Sequence, residues 1–163
     1  MQGYPGALTR VNSDNILIRM TEETINLVKL SVGSESVDGL AEWQKTPAAQ
    51  GPDGLPRHIT RMWPRREAGL VNGGSVYWVI RGAIRARQRV LRLDEVTGAD
   101  GIRRCAIVLD PALIRTRTAP RRPFQGWRYL KPGDSPADLR DGEEQDSALP
   151  PGLSEALAEI GVF

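Results

Sequence analysis

Short runs of apolar, β-branched and aromatic residues recur along this chain, and such runs predict strands. The clearest run is Ser75–Ile80 (SVYWVI), which is continuous and contains two aromatic residues. Arg103–Leu109 (RRCAIVL) and Thr24–Val32 (TINLVKLSV) predict two more strands, and His58–Met62 predicts a shorter one. Ile114–Thr118 (IRTRT) alternates with a period of two, which is typical of a strand with one arginine-bearing face.

The segment Ala83–Leu93 (AIRARQRVLRL) fits two patterns. As a helix it has an apolar stripe, and as a strand it places Arg85, Arg87 and Arg89 on one face. We favour the strand, because Ser75–Ile80 otherwise lacks a hairpin partner and the dipeptide Arg81-Gly82 can form the turn.

Helices are predicted where apolar residues follow a helical period after a capping residue. Ser36 can cap a helix that runs to about Lys45. Pro64 suits a first helical position, with Arg65–Val71 as two turns, and Leu153–Ile160 can form a last short helix. The predicted fold class is therefore α+β and mainly β: a small bent sheet or β-barrel with two or three short helices.

The 163 residues fit one domain, which we expect over residues 20–131. Residues 1–19 are polar, without periodicity, and form an expected disordered lead-in, and the sequence leaves open whether Met1 or Met20 is the native start. Residues 132–163 form an acidic tail. No apolar run approaches the ~20 residues of a membrane helix, and residues 1–20 lack the apolar segment of a signal peptide, so we expect a cytoplasmic protein without a membrane partner.

Charge is strongly partitioned along the chain. Residues 57–131 carry seventeen basic and five acidic residues, a net charge of +12. Residues 1–56 have a net charge of −3 and residues 132–163 one of −7. Nineteen of the twenty-two basic residues are arginine, which a GC-rich genome explains, but codon usage does not explain the segregation. A block of this charge attracts polyanions such as nucleic acid.

The residue inventory excludes several chemistries. One histidine and one cysteine exclude a metal cage of three or more such ligands, so no metal and no cofactor is expected. Neither a P-loop nor a Gly-x-Ser-x-Gly elbow is present. The interpretations favoured for the remaining candidates are structural: His58 as a structural histidine rather than a base, Asp110 as a turn cap before Pro111, and Cys105 as inert packing.

Arginine and aromatic residues occur together in the basic block. Guanidinium groups contact phosphates and aromatic faces stack on bases, so this combination favours nucleic-acid binding. Tyr77 and Trp78 are expected in the core, and Trp127 is the aromatic residue most expected to be partly exposed. If the two arginine-bearing strands adjoin, one continuous cationic surface results. The predicted nucleic-acid-binding residues are Arg85, Arg87, Arg89, Arg115, Arg121, Arg122, Trp63, Trp78 and Trp127.

Several segments resemble an uncharacterised bacterial family, the domain-of-unknown-function family 1489. The resemblance lies in INLVKLSVG (25–33), HITRMWPRR (58–66), GGSVYWVIRGAIRARQRVLRL (73–93), DGIRRCAIVLDP (100–111) and RRPFQGWRYLKP (121–132). It covers roughly residues 20–139, with the acidic tail outside it, and implies no activity. The order of elements is also similar to the PUA-like superfamily, including ASCH and EVE domains, which implies a small β-barrel and binding of RNA or modified nucleobases. No catalytic residue is carried over.

Three functions follow as hypotheses. The first is binding of nucleic acid or a modified nucleotide through the arginine-rich, aromatic-lined face. The second is an enzyme acting on a nucleotide-like substrate, with His58 or Asp110 assisting proton transfer in a closed pocket beside an arginine. The third is a protein-interaction module with a basic face. The sequence leaves open whether a reaction is catalysed and which oligomeric state the protein adopts.

Overall fold

Seven strands form one strongly bent sheet, with two short helices, in the computed structural model, which describes residues 23–140. The fold is therefore mainly β, as predicted. The strands are β1 (Asn26–Leu30), β2 (Arg57–Thr60), β3 (Ser75–Ile80), β4 (Ala83–Thr97), β5 (Arg103–Leu109), β6 (Ile114–Pro120) and β7 (Trp127–Leu130). The helices are α1 (Val37–Gln44) and α2 (Glu67–Val71), and single 3-10 turns lie at Pro47–Ala49 and Pro132–Asp134.

The strand order is β2-β5-β4-β3-β1-β7, and β6 pairs with β4. Only the β1–β3 pair is parallel among these strand pairs. The fifteen residues of β4 pair with β3 and β6 along the first half and with β5 along the second. Register shifts interrupt all three pairings, and such irregularities bend and twist a sheet. The predicted bent sheet is confirmed, and β4 produces the bend.

The segment Ala83–Leu93 is a strand, as favoured, and continues to Thr97. Its less buried arginines alternate with buried Ala86, Gln88 and Val90, which is the period-two pattern of a strand. The hairpin from β3 to β4 turns at Arg81 and Gly82, which both have positive φ angles of 54° and 80°. This is the backbone of a type I′ turn, which favours Asn or Gly at both positions. Arginine at the first position lowers the free energy of unfolding by on the order of 1 kcal/mol through backbone strain.

The sheet buries side chains on both faces. The larger core lies on the face covered by α1 and includes Leu27, Leu40, Trp78 and Trp127. The smaller core, on the opposite face, consists of Val28, Tyr77, Val79, Ile84 and Leu130. The core positions predicted for Tyr77 and Trp78 are confirmed.

Trp127 is 6% exposed, so the expected partial exposure of this residue is wrong. Its indole Nε1 donates to the Met62 carbonyl oxygen at 2.8 Å, and the Tyr129 ring packs against it edge-on. A buried indole needs a partner for its N–H, and the turn after β2 supplies this acceptor. The segment before β7 is rich in arginine and glycine, but β7 itself lies against the larger core.

The start of α1 agrees with the prediction, and the start of α2 does not. Ser36 caps α1, and its Oγ accepts from the Gly39 N–H at 2.9 Å, as predicted. The second helix starts at Glu67, so Pro64 is not its first residue. The Tyr129 hydroxyl oxygen accepts from the backbone N–H groups of Arg65 and Arg66, and this contact holds the chain in a non-helical approach to α2.

The sheet extends beyond the domain boundary placed after residue 131. The Arg117 N–H donates to the Ala137 carbonyl oxygen at 2.8 Å, and the Leu139 N–H donates to the Arg115 carbonyl oxygen at 3.0 Å. A bridge also links Thr116 to Asp138. This segment therefore adds main-chain pairing along β6. The predicted helix at residues 153–160 and the acidic run after 140 lie outside the described residues.

A buried amide network joins α1 to the sheet. The side chains of Gln44 and Gln88 donate to each other at 2.8 and 2.6 Å. Gln88, which is 0% exposed, also accepts from the Trp78 indole N–H at 3.0 Å and donates to the Asp110 carbonyl oxygen at 2.8 Å. The network thereby fixes one face of α1, the Trp78 ring and the end of β5 relative to one another.

Gln88→Leu is expected to lower the free energy of unfolding by about 2–4 kcal/mol. The apolar side chain keeps the volume but leaves the Trp78 N–H, the Gln44 amide and the Asp110 carbonyl oxygen without this partner, at about 1–3 kcal/mol for each buried group left unpaired. Urea denaturation measures the change. Exposed Gln125→Leu is the matched control, with an expected change within about 0.5 kcal/mol. Equal stability of the two variants would contradict the structural role of the network.

Candidate functional site

The two arginine-bearing strands adjoin, but they do not form one surface. In the pairing of β4 with β6, Ala86 lies opposite Arg115 and Arg87 lies opposite Ile114. Paired residues share a face and neighbours along a strand alternate, so Arg87 and Arg115 are on opposite faces. The expected continuous cationic surface is therefore wrong, because the register that determines it was not readable from the sequence.

Three of the predicted arginines bind acceptors within the protein. Arg87 forms a bidentate pair with Asp138 at 2.7 and 2.8 Å and donates to Ser75 Oγ at 3.0 Å. Arg115 pairs with Asp38 at the start of α1, at 2.7 Å. The Arg85 Nε donates to the Ile80 carbonyl oxygen at 2.7 Å. These contacts give the three side chains structural roles in the described part of the chain.

The other predicted residues are spread over the molecule. Arg89 is exposed on β4, and Trp63 packs against the larger core with the Arg103 guanidinium over its ring at 5.6 Å. Arg121 and Arg122 lie in the loop before β7, where the Arg121 guanidinium is 5.8 Å from the Phe124 ring centroid. Trp78 and Trp127 belong to the larger core.

A pocket of about 100 Å³ lies on the α1 face of the sheet, at the carboxyl end of β1, and we call it the Trp78 pocket. α1, β1, β2, β3 and the end of β5 all contribute to its wall. Its lining residues are Lys29, Leu30, Ser31, Val32, Leu40, Trp43, Gln44, Ala49, Arg57, His58, Trp78 and Leu109.

The lining of the Trp78 pocket contains basic residues and no carboxylate. Lys29, Arg57 and His58 contribute to the wall. In the register of β1 with its two neighbours, Lys29 lies beside Trp78 and Trp127, on the face of the larger core. Within residues 23–140, Lys29 makes no ion pair with a carboxylate. A half-buried ammonium group without a carboxylate partner favours binding of an anion.

His58 is neutral at pH 7. Burial lowers the pKa of its imidazole to about 4, and the nearby charge of Lys29 contributes in the same direction. Burial also lowers the pKa of Lys29. His58 packs edge-on against the Trp78 ring, with 6.3 Å between the ring centroids. A neutral imidazole offers one donor and one acceptor nitrogen to a bound group.

Two tryptophans give the pocket aromatic surface. Trp78 is 5% exposed and fixed by Gln88, whereas Trp43, on α1, is 49% exposed. Ligand sites are commonly 300–1,000 Å³ in volume, and an apolar cavity of about 150 Å³ holds one benzene ring. At about 100 Å³ the pocket is smaller than either, so it admits the edge of a planar group and leaves the rest of a larger ligand outside.

A larger, open cleft of about 350 Å³ lies on the opposite face, beside Arg87. Thr24, Asn26, Tyr77 and Asp138 contribute to its lining. The Asp138 carboxylate neutralises the Arg87 guanidinium there, at 2.7 Å. The cleft therefore lacks the uncompensated positive charge of the Trp78 pocket, and the smaller pocket is the better candidate site.

The other groups considered for chemistry have structural roles. The Asp110 carboxylate accepts from the Ala112 N–H at 2.9 Å, so the expected turn cap is confirmed. Cys105 is buried, and burial raises the pKa of its thiol to about 11, which makes it the expected inert packing residue. Among residues 23–140, no group of three or more His, Cys, Asp and Glu side chains is placed to hold a metal ion.

Two features of the sequence indicate the pocket, although neither is among the predicted site residues. Lys29 interrupts the otherwise apolar run of β1, and Trp43 lies on the exposed side of the helix stripe of α1. A charged residue within an apolar strand and an exposed aromatic residue on a helix are both unusual enough to indicate a site. The tertiary structure alone shows that Lys29 and Trp43 line the same pocket as His58.

Comparison with known proteins gives one match. A family model described as "Protein of unknown function (DUF1489)" matches residues 27–163. The matched region includes the acidic tail, which we expected to lie outside the family. No curated protein and no solved structure matches the chain, so the likeness to PUA-like domains stays a prediction. No helix in residues 23–140 is long and apolar enough to cross a membrane.

Stability is expected to fall by about 2–3 kcal/mol between pH 6.5 and pH 4. The folded-state pKa of His58 is about 4, below the ordinary value of 6.5, so the unfolded chain binds one more proton in this range. Urea denaturation at pH 6.5 and pH 4.0 measures the change. Since the chain has one histidine, NMR titration of its imidazole reports the pKa directly. A pKa near 6.5 would contradict the buried site, and His58→Gln should remove this part of the pH dependence.

Arg87→Gln is expected to lower the free energy of unfolding by about 1–2 kcal/mol, because it removes a bidentate charge-assisted pair that is partly exposed to solvent. Asp138→Asn should give a similar loss, and the double variant should lose less than the sum of the two. Additive losses in this thermodynamic cycle would show that the pair contributes no coupling energy.

Proposed function

The chain belongs to the DUF1489 family, and from the composition of the Trp78 pocket we propose that it binds nucleic acid or a modified nucleotide. The observation that carries the proposal is Lys29, a half-buried cation without a carboxylate partner in the described chain, beside a neutral imidazole and the aromatic surfaces of Trp43 and Trp78. A phosphate compensates the charge, and the exposed ring of Trp43 offers a surface on which a nucleobase can stack.

The proposal assigns different parts of the ligand to different residues. The ammonium group of Lys29 contacts a phosphate oxygen, with Arg57 adding positive potential from the pocket wall. The base stacks on the exposed ring of Trp43, and His58 offers a hydrogen-bonding nitrogen to its edge. Such a site distinguishes bases by shape and hydrogen bonding, which is the property needed for recognising a modification.

Lys29→Gln is expected to weaken binding of nucleoside monophosphates by roughly 10–100-fold, since hydrogen bonds to charged groups contribute about 1.5–3 kcal/mol. Trp43→Ala should weaken binding by a similar factor through loss of stacking. Calorimetric titration with the four common monophosphates measures the affinities. Lys131→Gln, which removes the same charge near the opposite end of β1, is the matched control and should stay within about twofold.

A second measurement tests the position of the ligand. A phosphate bound beside Lys29 raises the pKa of His58, because it neutralises the nearby cation and favours the imidazolium form. NMR titration of the single histidine, with and without nucleotide, should show this increase. Binding that leaves both the His58 signal and the Lys29→Gln affinity unchanged would refute the proposed site.

An enzyme acting on a nucleotide-like substrate is the second candidate. It is favoured by the position of His58 in a pocket that Arg57 also lines, together with the neutral state of the imidazole at pH 7, in which it can accept a proton. Mass spectrometry of nucleotides incubated with the protein detects turnover. His58→Gln should abolish product formation and retain binding; absence of any product from wild-type protein would leave binding as the function.

A further inference from the structure

Two arginines, Arg121 and Arg128, lie near the Phe124 ring, Arg122 follows Arg121 in the same loop, and Arg81 lies in the turn to which this loop is hydrogen-bonded. We call Arg81, Arg121, Arg122, Arg128 and Phe124 the Phe124 patch. The Arg121 N–H donates to the Gly82 carbonyl oxygen at 2.9 Å, which joins the loop before β7 to the turn between β3 and β4. The guanidinium groups of Arg121 and Arg128 lie 5.8 and 5.2 Å from the Phe124 ring centroid.

The charge of the Phe124 patch is not compensated in the described chain. Within residues 23–140, none of its four arginines forms an ion pair with a carboxylate, and Arg81, Arg122 and Arg128 are exposed. Five arginines elsewhere in the sheet form ion pairs, whereas Arg57 on β2 and Arg89 on β4 form none within residues 23–140. The paired arginines are Arg87, Arg92, Arg103, Arg104 and Arg115. The Phe124 patch is therefore one group of neighbouring arginines whose charge no carboxylate in residues 23–140 pairs with.

Arg81 is an unfavourable residue for the turn it occupies. Its φ angle of 54° lies in the left-handed region, where Asn or Gly is preferred. The side chain is exposed and forms no ion pair in residues 23–140, and the contact described at this residue is made by its backbone carbonyl oxygen, which accepts from Arg85 Nη2 at 3.5 Å. Backbone strain of this kind is concentrated at functional sites, which indicates a role for the guanidinium group outside the fold.

The patch is close to the Trp78 pocket. The Ser31 N–H, at the pocket wall, donates to the Val79 carbonyl oxygen at 2.9 Å, and Arg81 is two residues further along the same strand, on the order of 7 Å away. Leu30 lines the pocket and packs, like Phe124, against the smaller core. The pocket lies on the α1 face and Phe124 packs on the opposite face, so a ligand that reaches both must pass around this end of the sheet, beside Leu30.

We propose that the ligand is single-stranded nucleic acid, with one base in the Trp78 pocket and the phosphates of neighbouring nucleotides on the Phe124 patch. This inference rests on the proposed function and specifies its substrate class. The pocket, of about 100 Å³, admits the edge of one base and leaves the remainder of the strand on the surface. A base that enters it must be unpaired, which selects a single strand over a duplex.

The chemistry of the Phe124 patch suits a nucleic-acid strand that passes over it. Guanidinium groups contact phosphate oxygens, while Phe124, with its ring between two of them, offers a partly buried aromatic surface at the sheet edge. RNA and DNA share this phosphate and base chemistry. Oligonucleotides of both kinds are therefore used in the test, and the preference between them reports whether a 2′-hydroxyl is recognised.

The first experiment compares an eight-nucleotide single strand with a mononucleotide, using the full chain and fluorescence anisotropy or calorimetry. The single strand should bind at least tenfold more tightly. The double variant Arg121→Gln/Arg122→Gln should lower its affinity about tenfold or more, reduce the slope of log affinity against log salt by about 1.4, and leave mononucleotide affinity within about twofold. The matched control is Arg103→Gln/Arg104→Gln, which removes two arginines already paired with carboxylates.

The second experiment separates binding from folding at one position. Arg81→Asn should raise the melting temperature by about 3 °C, because Asn suits the left-handed turn, and should lower single-strand affinity about threefold or more. If Arg81 had a purely structural role, the Arg81→Asn variant would have a lower melting temperature than the wild-type protein. If Arg81 faced solvent without contacting a ligand, the variant would bind the single strand with unchanged affinity. Either result would overturn the assignment of Arg81.

Different results would overturn the proposed nucleotide site and the proposed single-strand ligand. If mononucleotides bind through Lys29 but the single strand binds no more tightly and the patch variants have no effect, this inference is overturned and the proposed function stands. If the single strand depends on the patch but not on Lys29 or Trp43, the proposed pocket is overturned. Equal affinity for a duplex or for polyaspartate of matched charge would overturn the assignment to single-stranded nucleic acid.

Discussion

The buried side chain of Gln88 is the contact on which the geometry of this molecule depends. It connects a helix, a tryptophan and the end of a strand, which have no other common partner among the hydrogen bonds of the described chain. Buried amides are costly unless every group is paired, so a network of this kind permits one arrangement and penalises the alternatives. The network fixes Gln44 and Trp78 in the wall of the Trp78 pocket, whereas Trp43 lies at its rim and is 49% exposed.

Much of the fold could be predicted from local pattern. The bounds of β3 and β5 agree with the apolar runs, and Ser36 identified the start of α1. The start of α2 could not be predicted, because the hydroxyl group that holds the preceding residues comes from Tyr129, more than sixty positions away. The polar end of β4 also lacked a strand pattern; pairing with β5 and the ion pair between Glu95 and Arg103 stabilise it.

The site was less predictable than the fold, for a physical reason. The sequence identified which segments carry arginine, but the face on which each one lies depends on bulges that shift the register of β4 with its neighbours. A shift of one residue moves a side chain to the other face of a sheet. The sequence indicated His58 as a candidate in a pocket beside an arginine, but it did not indicate Lys29, because the two meet only after β1 and β2 are placed in the same sheet. Arg121 and Arg122 form no ion pair within residues 23–140.

The position of β1 has a consequence for synthesis of the protein. This strand leaves the ribosome early, but one of its partners, β7, follows about 100 residues later, whereas β3, β4, β5 and β6 pair largely with close neighbours in sequence. A nascent chain that stops before β7 exposes a strand edge made of NLVKL, and such an edge recruits other chains. Incomplete translation products are thus the species most liable to aggregate. Pairing of β7 with β1 covers this edge once the chain is complete through residue 130.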